Sequence, residues 1–118
     1  MTEPARIVLI GFMGSGKSTV GPLLAELLER DFVDLDTLVE ARAGCPVTAI
    51  FETRGEGEFR TLESSCLRGL AGRSRVVVAT GGGAPLGSAN RWFFLDAGTA
   101  VFHLRVSLDQ ALARTRGD

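Results

Sequence analysis

RIVLIGFMGSGKS, residues 6–18, joins a short run of β-branched and apolar residues to a glycine-rich turn ending in Lys17-Ser18. An uninterrupted apolar run of this length reads as a strand buried on both faces, as in parallel sheets. Gly11 to Ser18 fits G-x-x-x-x-G-K-[ST] without a mismatch. Glycines let consecutive backbone N–H groups turn inward toward phosphate oxygens, and the helix N-terminus that follows adds partial positive charge. In such a loop Lys17 reaches the β- and γ-phosphates and the Ser18 hydroxyl joins a Mg²⁺ shell. The bland alternative is a glycine turn that only links strand to helix; the Lys-Ser register and the flanks weigh against it. The motif specifies a nucleoside triphosphate and leaves the receiver of the phosphate open.

Working outward, Val20, Leu23, Leu24, Leu27 and Leu28 recur at helical spacing and predict the core-facing side of a helix. Pro22 lies beyond the first turn and predicts a kink or a late helix start. Further strands are expected at Asp31–Asp34, Arg75–Thr80 and Thr99–Val106. Helices are expected at Thr37–Ala43, from Pro46 with Thr48 as cap, and at Glu56–Leu70, Ser88–Leu95 and Leu108–Arg114. The alternation predicts an α/β fold: one parallel sheet with helices on both faces, a single domain over residues 1–118.

Ligands of such sheets sit beyond the carboxyl ends of the strands, so the residues there are the acceptor-side candidates. Asp34-Leu35-Asp36 ends the second strand. In extended chain its two carboxylates point the same way, one to hold water on Mg²⁺ and the other to accept a hydroxyl proton. Asp36 as a plain helix cap is the competing reading. Gly81-Gly82-Gly83 follows a strand of valines; it suits a ligand touching main chain, or a flexible turn. Arg60 and Glu63 fall three apart on one helix face. Arg60 there is either a fork for a carboxylate or half of a surface ion pair. His103, without a partner, and the Trp92-Phe93-Phe94 run read as structural.

Composition narrows the class. A formal net charge of −1 gives no electrostatic footprint for nucleic acid or a membrane surface. No apolar run suffices for a leader or a span, and Cys45 and Cys66 lack metal or redox spacing. The expectation is a cytoplasmic, monomeric protein with thiols acting as apolar fillers.

GFMGSGKST, FVDLD, GEGEFRTLE and VVATGGGA, in this order and at these gaps, resemble shikimate kinase. The resemblance implies a P-loop fold of the nucleoside-monophosphate-kinase type with a five-stranded sheet. It implies transfer of the ATP γ-phosphate to the 3-hydroxyl of shikimate, with Mg²⁺, on the way to chorismate and aromatic amino acids. By position, Gly11, Met13, Gly14, Ser15, Gly16, Lys17, Ser18 and Thr19 would bind nucleotide and Arg114 would pack on adenine. Ser18 and Asp34 would serve the metal, and Lys17 and Asp36 the catalysis. Asp36, Arg60, Gly81, Gly82 and Gly83 would bind the acceptor, with Glu63 orienting Arg60. The resemblance also implies a following stretch with a mobile lid and its arginine, a second carboxylate-binding arginine and the last strand. The residues in hand then form the N-terminal two-thirds, expected to bind poorly and turn over slowly or not at all. The competing readings are another small-acceptor kinase, for gluconate or a nucleotide, and an ATP-binding homologue without catalysis.

Overall fold

The computed structural model describes residues 3–11, 17–81, 84 and 87–104, with the side chains of 17–19 set aside. Four strands form one parallel sheet: β1 (Arg6–Ile10), β2 (Asp31–Asp34), β3 (Val76–Thr80) and β4 (Thr99–His103), in the order β2-β3-β1-β4. Helices α1 (Lys17–Leu27), α2 (Leu35–Ala43), α3 (Val47–Thr53), α4 (Gly55–Leu70) and α5 (Arg91–Leu95) connect them, with a 3₁₀ turn at Ser88–Asn90 before α5.

Strand alternation divides the core. Val8, Ile10, Val76 and Val78 face a large cluster with Leu35, Val39, Ile50, Phe59, Leu67, Leu70 and Phe93 from α2 to α5. Ile7, Leu9 and Val77 face Ala25 and Leu24 of α1 and Phe32 of β2. The β1-to-β2 connection thus uses one face, and the connections moving back toward β4 use the other, as a single crossover hand requires. Both central strands, β1 and β3, are buried along their whole length, as their apolar sequences predict.

The expected core face of α1 is corrected. Leu23 is 57% exposed and Leu27 80%, while the residues packed on the sheet are Gly21, Leu24 and Ala25. Close approach decides this: a Cβ on Gly21 would lie 2.3 Å from Cε1 of Phe32. Small residues one turn apart let the helix axis settle on the sheet where a leucine would hold it off. The helix starts at Lys17 and continues through Pro22, so the late start is not observed. His103 is exposed at the end of edge strand β4. Phe93 is fully buried, and Trp92, 45% exposed, packs edge-on against it at 5.9 Å between ring centres.

Candidate active site

Register brings the candidate residues to one level. Ile10 pairs with Thr80, and Asp34 with Ala79, so β1, β2 and β3 end together at the carboxyl edge of the sheet. Gly11 donates its N–H to the Thr80 carbonyl at 3.4 Å. The phosphate-loop turn, the Asp34-Leu35-Asp36 turn and Gly81 therefore leave the sheet from adjacent strands. Of the other predicted residues, Met13, Gly14, Ser15, Gly16, Gly82, Gly83 and Arg114 lie outside the described residues. Lys17, Ser18 and Thr19 open α1 by backbone.

Asp34, rather than Asp36, caps α2. Its Oδ1 accepts from the backbone N–H of Asp36 at 2.9 Å and of Thr37 at 3.3 Å. The cap turns the chain at the strand end, which buries Leu35 and puts Asp36, exposed, in the first helical turn. The two carboxylates belong to different elements, so the extended-chain argument for a common direction does not apply. Asp34 still keeps its second carboxylate oxygen out of the cap.

On α4 the pair is unequal. Glu63 is buried while the Arg60 side chain is 39% exposed. Arg60 Nη1 donates to both Glu63 oxygens, at 3.0 and 3.2 Å. Its Nε lies 3.7 Å from Glu56, and the guanidinium sits 5.1 Å from the Phe59 ring centre. Burial pushes the Glu63 carboxyl above its ordinary pKa; Arg60 pulls it partway back, and the negative charge of Asp36 raises it again. Asp36 and the Arg60–Glu63 pair are thus close enough to sense one another across α2 and α4. An open groove of about 290 Å³ lined by Arg60, Thr61, Ser64, Arg68 and Ala89 leaves the guanidinium reachable from solvent.

One residue in this region was not singled out by sequence. Asn90 is buried, and its amide bonds to Ser64, Glu63 and the Ala84 carbonyl. An asparagine at the start of a helix reads as a cap, and no spacing rule links it to a glutamate on a distant helix. Cys66 is buried, which pushes its thiol pKa up, and Cys45 is half-buried; both are free, as expected of fillers. Among the described residues no group of three or more His, Cys, Asp and Glu side chains could hold a metal alone.

Comparison with known proteins follows the same line. A family model described as shikimate kinase matches residues 13–118. A shikimate kinase of Geobacter sulfurreducens is 51% identical over 117 residues, covering 99% of this chain and 64% of that protein. The solved shikimate kinase of Acinetobacter baumannii in complex with shikimate superposes with a TM-score of 0.83 at 44% identity, covering 99% of this chain and 64% of that one. A gluconokinase of Sinorhizobium meliloti shares the fold at a TM-score of 0.62 and 25% identity, over 100% of this chain and 69% of that one.

Proposed function

The chain belongs to the shikimate kinase family, and from that premise we propose that it transfers the γ-phosphoryl group of ATP to the 3-hydroxyl of shikimate. The chain spans 64% of the length of its Geobacter relative and carries the phosphate-loop motif and the candidate acceptor clamp. The observation that carries the reading is Arg60: Glu63 holds it through Nη1, an open groove reaches it, and the charge of Asp36 acts on its partner Glu63. A guanidinium so placed suits a small carboxylic acid.

In this reading the backbone of Gly11 to Ser18 wraps the phosphates, and Lys17 neutralises charge as it moves to the leaving ADP. Arg60 binds the shikimate carboxylate, and the backbone of Gly81 to Gly83 borders the ring. Asp36 accepts the proton of the 3-hydroxyl as its oxygen bonds to the γ-phosphorus and the bond to ADP breaks. Positioning carries most of the rate, because the acceptor is anchored at its acid end and attacked at its hydroxyl. The donor set fits Mg²⁺, which takes one or two protein oxygens and fills its shell with phosphate and water. Ser18 and the uncapped oxygen of Asp34 would hold it, and when bound it supplies charge neutralisation across the phosphates. Cytoplasmic location and a monomeric state complete the proposal; no helix of the described residues is long and apolar enough to cross a membrane.

The test is ADP release from MgATP by the purified chain with shikimate, with gluconate and with neither, alongside direct binding of each acid. Shikimate-dependent release, or selective uptake of shikimate, supports the reading. Uptake of gluconate in its place overturns it.

A further inference from the structure

Asn90 stands where three parts of the acceptor side meet. Its side chain is 3% exposed as a residue, in the 3₁₀ turn that follows the glycine loop. Nδ2 donates to the Ala84 carbonyl at 2.9 Å and, more loosely, to Glu63 Oε1 at 3.4 Å. Oδ1 accepts from the Ser64 hydroxyl at 2.6 Å. These partners fix the amide's orientation. Two acceptors face the NH₂ and one donor faces the oxygen, and a flipped amide would set its oxygen against a carboxylate and a carbonyl. Glu63 in turn holds Arg60 through Nη1. Ala84 directly follows the glycine triplet, and its N–H donates to the Gly81 carbonyl at 3.3 Å.

We propose that Asn90 is a positioning residue for the acceptor site, whose amide fixes the Glu63 carboxylate that aims Arg60 and ties it to the end of the glycine loop. The inference rests on the acceptor reading above. Asn90 touches no reacting atom in it. It sets two acceptor-side elements, the α4 clamp and the β3 loop, at one fixed separation. A buried amide suits this task because it offers donors and an acceptor at once without carrying charge.

The test uses Asn90→Asp, nearly isosteric, which swaps the donor for a second carboxylate beside Glu63, and Ser64→Ala, which removes the bond that fixes the amide. Two readouts are taken on each. The first is the pH titration of the Glu63 side-chain carboxyl followed by ¹³C NMR. Asn90→Asp should raise its midpoint by about one unit, since a favourable donor is lost and a like charge gained. The second is affinity for shikimate and for MgATP measured separately. Asn90→Asp should weaken shikimate about tenfold or more, Ser64→Ala should do so less, and both should leave MgATP within about twofold. An unmoved Glu63 midpoint overturns the proposal. So does unchanged shikimate affinity, or equal loss of both ligands, which marks a merely structural role. If the unaltered chain takes up gluconate in place of shikimate, the acceptor reading is what fails. The Glu63 titration then still decides whether Asn90 holds the clamp, and should Asn90→Asp not fold, Ser64→Ala decides it by the same measure.

Discussion

Glu63 gives up its solvent while Arg60 keeps much of its own, and that asymmetry links the site to pH. The folded carboxyl is raised above its ordinary value, with burial as the leading cause. It therefore holds its proton over a window in which the unfolded chain has released it. Within that window stability falls as pH rises, from the ordinary carboxylate range through the raised folded pKa, and levels off above it. Urea unfolding at a series of pH values from about 4 to 7 should show this fall relative to Glu63→Gln; parallel curves for the two proteins would rule it out. Arg60→Lys makes a second residue-scale prediction. A lysine keeps the charge but not the planar fork, so shikimate affinity should drop about tenfold while MgATP affinity holds. Equal shikimate affinity in calorimetry would remove Arg60 from the clamp.

Elements were unevenly legible. The first three strands were readable because each is a short run with a valine-bearing apolar centre that ends at a glycine or an aspartate, and they match at or within one residue; β4 has no such stop and ends at His103 rather than Val106. Helix faces and caps were less so. Leucine periodicity found only Leu24 on the packed side of α1, because proximity to Phe32 selects for small residues at Gly21 and Ala25 rather than large apolar ones. Thr48 was expected to cap α3. Instead Pro46 occupies the cap position without a side-chain bond, and Glu40 of α2 accepts from the Val47 N–H at 2.8 Å. A cap lent by another helix leaves no local trace in sequence. The site followed the same division: Asp34, Asp36, Arg60 and Gly81 were visible as motif residues at strand ends or on one helix face. Asn90, defined by contacts with residues 6, 26 and 27 positions away, was not. Two substitutions test the element scale. Gly21→Ala drives a methyl into Phe32 and should cost about 1–3 kcal/mol in denaturant unfolding. Gly44 ends α2 at φ +77 with open space around its Cα. Gly44→Ala should therefore cost about 1 kcal/mol through backbone strain alone. The two costs should add in a variant carrying both, since the sites share no neighbour within 4 Å.

Across the whole molecule, the two ends of the sheet do different work. At the amino ends of the strands, arginines are spent on the chain itself. Arg6 is buried and bonds the carbonyls of Ala71 and Arg73, the Thr99 hydroxyl and Asp96. Arg30 bonds the carbonyls of Pro4 and Ala5, Arg75 that of Glu29, and Arg73 pairs with Asp31. The carboxyl ends carry the candidate site. Arg6→Met takes the donor from the carbonyls of Ala71 and Arg73 and should lower unfolding free energy by about 1–3 kcal/mol. Ligand affinity of the remaining folded protein should be unchanged; a parallel loss of MgATP binding would mean the two ends are coupled.

The pairing of Ile10 with Thr80 and of Asp34 with Ala79 also constrains descent. Strand side chains alternate, so one residue inserted in β2 or β3 would turn Asp34 or Gly81 to the opposite face and carry it about 3.3 Å along the sheet. A lineage that keeps its chemistry can therefore change length only between these strands, in the turns and helices, and each strand is inherited as a ruler whose gradations cannot be edited singly.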